Sequence, residues 1–523
     1  MSGERILAID CGTQSLRALL FDARGTLVAR RKVEYEPYFS AKPGYAEQDP
    51  ELWWRALGQA VRGLLADDYR ALEGVAAVAL TTQRDSMVCV DDKGDPLRPA
   101  ILWLDSRKAP RPYRPGFLTA LGLRIIGMTE ALARTQESGK CSWLRLYDAE
   151  AWERTRSYMQ VSGFLCARLT GEFADSVASQ IGHIPFDYKR QSWATRSHRN
   201  AKMFPVNPDK LPRLVEPGRE LGRISRAASE ATGIPAGLPL IAAGSDKGCE
   251  TLGMGVVDET MASLSFGTTA TVQTMSKRYR EPLRFMPSFP AVIPGCFNPE
   301  VEIFRGYWMI TWFKNQFAYE EVERAKAAGM VPEELLDELL SATPAGGQGL
   351  MMQPYWTAGL KTPAARGAVI GFGDAHERAH LYRAIIEGLA FGLKEGLQKI
   401  ERASGAKVRL LAASGGASQS ARICQISADL FNLPLVRGAS CETSGLGAAM
   451  CAAAGLGWYP GVREASLAMS SQPRRFEPDA VNARLYAELY ERVYKKIYGA
   501  LAPLYEELRD ITGYPEKPAE GGA

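Results

Sequence analysis

The chain has 523 residues, of which 46% are hydrophobic and 23% charged, a composition typical of a globular protein with two or three domains. Its 63 basic and 59 acidic residues leave a formal charge of only +4, so nothing in the charge indicates a nucleic-acid partner. A strand is predicted almost directly after Met1 and no apolar run reaches membrane-spanning length, which predicts a cytoplasmic protein without a signal peptide or membrane anchor.

The first predicted elements form a β-meander. Three short strands are predicted over residues 5–10, 16–21 and 26–34, and the turns DCGTQS and DARGT join them. Helical periodicity follows over residues 50–66. The next segment, VAAVALTTQ, is a short apolar run that ends in polar residues, as a buried strand does. Strand and helix then alternate, which favours an α/β architecture.

The pattern of the first hairpin recurs in the second half of the chain. GLPLIAAGSD predicts a strand that enters a polar turn, and MASLSFGTTATVQT repeats the strand, Gly-Thr, strand order of residues 6–21. The repeat predicts two α/β lobes, each about 250 residues long and within the size of one domain. We predict an N-terminal lobe over 1–248, a C-terminal lobe over 249–480, and a C-terminal helix and tail over 481–523.

The turn after the first strand has residues suited to an anion. Gly12 lets the backbone approach a ligand, while Thr13, Gln14 and Ser15 present donors beside main-chain amides. Asp10, at the end of the strand, is a candidate ligand of Mg²⁺, because this cation prefers carboxylate, water and phosphate oxygens. An ordinary hairpin turn with a capping Asp is the alternative.

A second turn of this kind contains Gly267, Thr268 and Thr269. Two hairpins facing each other across a cleft would hold a polyphosphate from both sides, as in an actin-like ATPase core. The rival GxxxxGK[ST] phosphate loop is absent, because the GK pair has Arg134 at the first Gly position and Cys141 at the Ser/Thr position. The first strand and turn also lack the dinucleotide motif GxGxxG.

Two segments near the C-terminus are rich in small residues. Gly415 and Gly416 lie between an apolar strand and an amphipathic helix, where they would let a flat group lie against the backbone. A tight turn capped by Ser418 or Ser420 is the alternative. The predicted helix over residues 441–457 consists of very small residues, which favours close packing against another element.

The tail and the thiols have structural interpretations. The last predicted helix carries an apolar and aromatic double stripe at i, i+4 spacing, formed by Leu485, Leu489, Val493 and Ile497 with Tyr486, Tyr490, Tyr494 and Tyr498. Docking on the core is the favoured interpretation, with a dimer contact as the alternative. The residues after Tyr514 are expected to fray. Nine cysteines form no CxxC pair, which predicts reduced, mostly buried thiols.

The order and spacing of these motifs resemble the FGGY carbohydrate kinases over about residues 5–460. The similar segments include AIDCGTQSLRALLFD, KPGYAEQDPELWW, TTQRDSMVCVDDKGDPLRPAILWLDSR, SGKCSWL, AAGSDKGCETLGMG, SLSFGTTATVQ and ASGGASQSARICQISADLFNLPL. The resemblance implies an α/β fold of two actin-like (ribonuclease H-like) ATPase lobes with a cleft between them. It also implies a kinase that transfers the γ-phosphoryl group of MgATP to a hydroxyl of a small linear sugar or polyol, such as the ketopentose xylulose.

The resemblance carries over to individual residues. Asp246 in GSDKG matches the family's catalytic base, which accepts the proton of the attacking hydroxyl, although Asp is also a common helix N-cap. Arg84 and Asp85 look similar to a hydroxyl-binding pair of the glycerol kinases, with a surface ion pair as the alternative. The other implied substrate-site positions are Trp103, for which core burial is the alternative, Thr135, where the glycerol kinases have Tyr, and Lys247.

The implied cofactors are ATP and Mg²⁺, with Asp10 as the metal ligand. The implied nucleotide contacts are Thr13, Gln14, Ser15, Gly267 and Thr268 for the phosphates and Gly415, Gly416 and Ser420 for the adenosine. The expected partner is a small sugar or polyol, without nucleic acid or membrane, and a homodimer is an open alternative. A non-catalytic actin-fold protein that binds sugar or nucleotide for regulation is the competing hypothesis. The carboxylate at position 246 and the lack of an appended DNA-binding or peptide-binding segment argue against it.

Overall fold

The protein forms two lobes, and each is built around a mixed six-stranded β-sheet. The computed structural model describes residues 4–330, 332–357, 362, 364–471, 474–514 and 516. Helices and further short strands surround both sheets, which gives the α/β architecture expected from the sequence.

The N-terminal lobe begins with the predicted meander. Its strands are β1 (Arg5–Cys11), β2 (Ser15–Asp22), β3 (Leu27–Glu34), β4 (Glu47–Gln48), β5 (Val75–Thr82), β6 (Met87–Val90), β7 (Ala100–Ile101), β8 (Ser157–Gln160), β9 (Ala174–Ser176), β10 (Phe186–Asp187), β11 (Ser192–Trp193), β12 (Arg213–Val215), β13 (Glu220–Arg223) and β14 (Pro239–Ser245). Its helices are α1 (Pro50–Asp67), α2 (Phe117–Ile125), α3 (Thr129–Glu137), α4 (Lys140–Tyr147), α5 (Ala149–Arg154), α6 (Val161–Thr170), α7 (Arg199–Met203) and α8 (Arg226–Thr232). Helix α9 (Asp246–Gly253) follows β14 directly and leads toward the second lobe.

The C-terminal lobe repeats the plan with longer helices. Its strands are β15 (Met261–Phe266), β16 (Ala270–Gln273), β17 (Phe289–Pro290), β18 (Phe297–Asn298), β19 (Glu300–Ile303), β20 (Met351–Gln353), β21 (Ala368–Ile370), β22 (Leu410–Ser414), β23 (Leu435–Arg437) and β24 (Arg474–Phe476). Its helices are α10 (Trp308–Phe317), α11 (Tyr319–Ala328), α12 (Pro332–Ser341), α13 (Arg378–Ser404), α14 (Ala421–Phe431), α15 (Thr443–Gly455), α16 (Val462–Met469), α17 (Ala480–Leu489) and α18 (Lys495–Thr512).

The two central sheets have the same strand order and the same strand directions. The first runs β3-β2-β1-β5-β14-β13 and the second runs β19-β16-β15-β22-β23-β24. In each sheet, in the order given, neighbouring strands among the first three are antiparallel. The third, fourth and fifth strands are parallel to one another, and the sixth is antiparallel to the fifth. The duplication inferred from the two hairpins is therefore present as a repeated topology.

Local sequence explains why these elements form. The Asp49 side chain accepts a hydrogen bond from the amide of Glu51 and Pro50 occupies the first helical turn, so α1 has a strong start signal. Trp53 and Leu57 are fully buried on the face that α1 turns to the sheet. Strand β1 is buried from Ile6 to Cys11, as expected for a strand with parallel and antiparallel neighbours.

Helices α9 and α15 cross with their backbones in contact. A Cβ atom built on Gly447 would lie 2.0 Å from the carbonyl oxygen of Cys249, and one built on Gly253 would lie 2.1 Å from the carbonyl oxygen of Thr443. Side chains of α15, such as Leu446 and Ala449, also join a core cluster with residues of β1, β2 and β5. The predicted packing role of the small-residue helix is confirmed.

The C-terminal helices dock on the second lobe through their aromatic stripe. Tyr486, Tyr490 and Tyr494 are buried and their rings pack around Phe391, with centroid separations of 6.1, 5.9 and 5.0 Å. The aliphatic stripe is only partly covered, because Leu485 and Val493 remain exposed while Ile497 is buried. Core docking is confirmed. The tail after Tyr514, which was expected to fray, lies outside the described residues except for Glu516.

The thiols agree with the sequence prediction. All nine cysteines are free, and eight of them are buried. Within the described ranges, none of the helices combines the length and apolar content needed to cross a bilayer.

Candidate active site

A cavity of about 2160 Å³ lies between the lobes and brings together seven of the predicted site residues. These are Thr13, Arg84, Asp85, Trp103, Thr135, Asp246 and Lys247. The other predicted residues do not form its wall, namely Asp10, Gln14, Ser15, Gly267, Thr268, Gly415, Gly416 and Ser420. Thr269 of the second hairpin also lines the cavity, so both hairpins border the same space.

The first hairpin is tied to the cavity wall by its threonine. Thr13 Oγ1 donates to Gln83 Oε1 (3.2 Å) and accepts from the indole Nε1 of Trp103 (2.9 Å). The turn closes through the Gly12 amide, which donates to the Ser15 carbonyl (3.0 Å), and Gln14 at its tip is exposed. Trp103 is therefore a half-buried wall residue of the cavity rather than a core residue.

The second hairpin and the glycine pair are in close contact. Gly415 has a φ of +83°, and a Cβ atom on it would lie 2.8 Å from the carbonyl carbon of Phe266, so only glycine fits here. Ser420 caps α14, because its Oγ accepts from the Ile423 amide (3.0 Å). The same hydroxyl donates to Asp337 Oδ1 (2.6 Å). The capping interpretation of this segment is confirmed for Ser420.

Asp246 is the first residue of α9 and lines the cavity. The N-cap of α9 is Ser245, whose Oγ accepts from the Gly248 amide (3.3 Å), so the N-cap alternative for Asp246 is wrong. One oxygen of Asp246, Oδ1, accepts from the Lys247 amide (2.8 Å). Burial raises the pKa of Asp246 above its ordinary value, although the charges of Lys247 and Arg84 oppose this shift.

Lys247 connects the start of α9 to the second sheet. Its Nζ donates to Glu250 Oε2 (2.8 Å) and to Ser265 Oγ (2.6 Å) on β15. Burial alone would lower the pKa of Lys247, but the carboxylates of Glu250 and Asp246 outweigh it and raise that pKa. The ammonium group therefore stays charged beside the second hairpin.

Asp10 is a buried carboxylate with one oxygen available to bind a hard cation. Burial raises its pKa to about 6, Arg17 opposes the shift, and the charge of Asp246 adds to it. Arg17 Nη1 donates to Asp10 Oδ2 (2.9 Å), and Oδ1 has no hydrogen-bond donor in the part of the chain that the structure describes. No group of three or more His, Cys, Asp or Glu side chains among the described residues would hold a metal. One carboxylate fits Mg²⁺, whose other ligands are commonly water and phosphate oxygens.

Arg84 reaches across the cleft to the second lobe. Its Nη2 and Nη1 donate to the two carboxylate oxygens of Glu300 on β19 (2.5 and 3.1 Å), and Glu302 Oε2 lies 3.7 Å from Nη2. The guanidinium also stacks over the ring of Phe289 at 5.3 Å. Glu300 is only 1% exposed, so this is a buried ion pair between the lobes, and the surface-pair alternative is wrong.

Glu302 provides a test of this electrostatic arrangement through pH. Burial, with the neighbouring charge of Glu300, raises the pKa of Glu302 to about 7, above the value of about 4.5 in an unfolded chain. The folded state alone therefore takes up this proton between pH 8 and pH 6, so stability rises as pH falls and is lost as pH rises through 7.

We expect protonation of Glu302 to stabilise the nucleotide-free protein by about 1 kcal/mol at pH 6 relative to pH 8, which raises the melting temperature by about 1–2 °C. Glu302→Gln should remove that part of the pH dependence, measured by differential scanning fluorimetry at both pH values. Glu323→Gln, on an exposed helix face, is the matched control and should leave the pH dependence of the melting temperature unchanged. An unchanged pH dependence in Glu302→Gln would contradict the assignment.

Asp85 binds a histidine that the sequence analysis missed. Its Oδ2 contacts His183 Nδ1 (2.8 Å), and its Oδ1 accepts from the His183 amide (3.1 Å) and lies 3.0 Å from Lys140 Nζ. Burial would raise the pKa of Asp85, but Lys140 and His183 outweigh it and hold that pKa well below the usual range. No local pattern joins positions 98 residues apart, so neither this contact nor the Arg84–Glu300 pair has a sequence signal.

Thr135 faces the cavity from α3. Its Oγ1 donates to the Ala131 carbonyl one turn earlier (2.8 Å), which fixes the side chain on the helix. The hydroxyl oxygen keeps acceptor capacity for a ligand in the cavity.

Comparison with known proteins identifies the fold and the family. The N-terminal domain of the FGGY family of carbohydrate kinases matches residues 5–253, and the C-terminal domain of that family matches residues 262–456. Xylulose kinase of Lactococcus lactis subsp. lactis (strain IL1403) is 29% identical over 494 residues, covering 92% of this chain and 94% of that protein. The uncharacterized sugar kinase YgcE of Escherichia coli (strain K12) is 29% identical over 501 residues, covering 94% of each chain. The crystal structure of gluconate kinase from Lactobacillus acidophilus superposes with a TM-score of 0.80 at 21% identity, covering 97% of this chain and 100% of that one.

The family match and the repeated topology agree. Both family domains are present, in order, over the two lobes with their shared cleft. The two-lobe actin-like fold is confirmed, and the protein is a carbohydrate kinase that uses ATP with Mg²⁺ rather than a non-catalytic regulator. On these observations, the chain belongs to the FGGY family of carbohydrate kinases.

Proposed function

We propose that this kinase phosphorylates a hydroxyl of a small, neutral, open-chain sugar or polyol, with a ketopentose such as xylulose as the first candidate. The observation that carries the proposal is the pairing of charges in the cavity. The two cations that act on the predicted base, Arg84 and Lys247, are each bonded to a carboxylate of the protein, and Lys140 is bonded to Asp85. An acidic sugar bound beside Asp246 would therefore meet that carboxylate next to cations that are already paired, whereas hydroxyls can bond to all of these groups.

Asp246 is the proposed general base. Its carboxylate lies in the cavity, and its raised pKa makes it a better proton acceptor than a solvated carboxylate. Phosphoryl transfer depends mainly on positioning and on stabilisation of charge, so one carboxylate beside the attacking hydroxyl is sufficient for proton removal. The enclosing lobes would exclude water from this position, which favours transfer to the sugar over hydrolysis.

We assign the remaining predicted residues to ligands by their chemistry. Thr13, Gln14, Ser15, Gly267 and Thr268 would hold phosphate oxygens through amides and hydroxyls, and Gly415, Gly416 and Ser420 would border the adenosine. Asp10 would hold Mg²⁺, which neutralises charge on the phosphates when bound. Arg84, Asp85, Trp103, Thr135 and Lys247 would surround the substrate together with Asp246.

A substrate panel tests the proposal. We expect MgATP-dependent release of ADP with D-xylulose, D-ribulose, xylitol or glycerol, and a kcat/KM for the best of them at least about 10-fold above that for D-gluconate. Release of ADP with gluconate as the best substrate would contradict the neutral-substrate assignment. No release with any neutral compound would contradict the proposed acceptor class.

We further propose a cytoplasmic location and retain a homodimer as a candidate assembly. Free, buried thiols suit a reducing compartment. The exposed side chains of Leu485 and Val493 on the C-terminal helices are the surface that supports self-association.

A further inference from the structure

His183 lies on the wall of the cavity and is held there by Asp85. We infer that His183 is a specificity-determining residue, whose Nε2 accepts a hydrogen bond from a substrate hydroxyl while Asp85 acts as its positioning residue. The inference rests on the proposed function, because it concerns the sugar-binding end of the same site.

The position of the Asp85 carboxylate is fixed by its own backbone conformation and by residues of two other segments. Asp85 has a φ of +53°, a conformation that Asp tolerates better than most residues, and its amide donates to the Ile181 carbonyl (3.2 Å). Lys140 lies 3.0 Å from Oδ1. A Cβ atom on Gly182 would lie 2.3 Å from Oδ1, so glycine at this position is required for Asp85 to reach the next residue. Backbone strain of this kind is concentrated at functional sites.

The same contacts fix the tautomer of His183. An ionised carboxylate only accepts hydrogen bonds, so the ring nitrogen 2.8 Å from Asp85 Oδ2 must carry a hydrogen. In the neutral ring Nδ1 is therefore the donor and Nε2 is an acceptor. A second contact, from the His183 amide to Asp85 Oδ1 (3.1 Å), fixes the backbone as well as the ring.

The ring is also fixed by packing and remains accessible to the cavity. Its edge contacts Phe204, with a centroid separation of 5.6 Å and an interplanar angle of 80°. The side chain is 31% exposed and lines the cavity that contains Asp246. Across the described residues, Nε2 has no hydrogen-bond partner within the protein. An oriented acceptor on the wall of the cavity that contains Asp246 fits a sugar hydroxyl, which is a donor.

A comparison of two histidines separates this role from a structural one. His198 lines the same cavity at 34% exposure and lies 3.9 Å from a carboxylate, that of Asp187, but its Nδ1 accepts from the Asn200 amide to cap α7. The variants are His183→Ala and His183→Gln, with His198→Asn as the matched control, because Asn preserves an N-cap.

We expect His183→Ala to raise KM for D-xylulose about 10-fold, with kcat and KM for MgATP changed less than about 3-fold, since one hydrogen bond to bound substrate is lost. In His183→Ala, the kcat/KM values for D-xylulose, D-ribulose and xylitol should differ less from one another than in the wild-type enzyme. His183→Gln should recover part of the affinity through its amide oxygen. His198→Asn should match wild type. An unchanged KM for D-xylulose in His183→Ala, or equal losses for sugar and nucleotide, would overturn the inference.

Direct binding keeps the inference testable if His183→Ala does not fold. In the wild-type protein without nucleotide, saturation with D-xylulose should shift the ¹⁵N resonance of His183 Nε2, while that of His198 stays in place. No shift at His183 under saturation would overturn the inference. If the wild-type enzyme released no ADP with any sugar of the panel, that result would instead contradict the proposed function. The two failures are therefore distinguishable.

Discussion

Replacement of Asp246 by Asn is expected to lower kcat about 10³-fold, with KM for the sugar and for MgATP changed only a few-fold. Asn has nearly the same shape as Asp, and its side-chain oxygen can still accept the hydrogen bond that the Lys247 amide donates to Asp246 Oδ1. The start of α9 should therefore be preserved. The amide cannot take a proton from the attacking hydroxyl. ADP release coupled to NADH oxidation, with the best sugar of the panel, measures the effect.

The control for this prediction is another carboxylate of the same cavity. Asp187 caps a turn through the Lys189 and Arg190 amides and has no proposed part in proton transfer. Asp187→Asn should retain kcat within about 3-fold, and the melting temperatures of both variants should stay close to wild type. Substantial substrate-dependent turnover by Asp246→Asn would show that another group is the base.

The pH profile gives an independent measurement. Because burial raises the pKa of Asp246, wild-type kcat/KM should fall as pH decreases through that raised value, when the base becomes protonated. The residual activity of Asp246→Asn should lack this acid limb. An identical acid limb in both proteins would assign it to a different group.

The second large effect is expected on stability, from Gly447→Ala in α15. A Cβ atom at this position would lie 2.0 Å from the Cys249 carbonyl oxygen and 2.6 Å from its carbon, and backbone atoms of α9 cannot rotate away. Alanine normally stabilises a helix interior by about 1 kcal/mol relative to glycine, but overpacking here should reverse the sign. We expect a loss of about 3 kcal/mol, or roughly 3–6 °C in melting temperature for a chain of this size.

Gly499→Ala is the matched control for this change. Gly499 is also inside a helix, α18, and a Cβ atom on it would meet nothing within 4 Å. Its substitution should be neutral or raise the melting temperature slightly, as helix propensity alone predicts. A similar response of the two variants in calorimetry would show that the α9–α15 contact is looser than described.

Much of the fold follows from local pattern. The strand and turn chemistry around Gly12 and Gly267 specified two similar hairpins, and both are present at equivalent places in two sheets of one topology. The small-residue segment specified close packing without naming its partner, since nothing in residues 441–457 points to α9. Lobe boundaries near 248/249 stay a prediction, because α9 belongs to the contact between the two halves.

The site was only partly predictable for a physical reason. Asp246 and Thr13 stand in recognisable turns, where neighbours in sequence are neighbours in space. The partners of Arg84 and Asp85 arrive from segments far along the chain, so Glu300 and His183 appear only once the sheets are assembled. Exposed ion pairing is the usual expectation for an Arg-Asp dipeptide, yet here each charge has a different partner, buried Glu300 for Arg84 and half-buried His183 for Asp85.

The glycine-to-carbonyl crossing of α9 and α15 has a consequence for motion between the lobes. With no side chain between the two backbones, we expect little relative movement of α9 and α15 at this contact. Cys249, at the contact, is less than one helical turn from Asp246, so we expect the carboxylate to keep its position when the lobes move. Parts of the cavity wall that lie far from this contact are then the parts expected to move when a sugar enters.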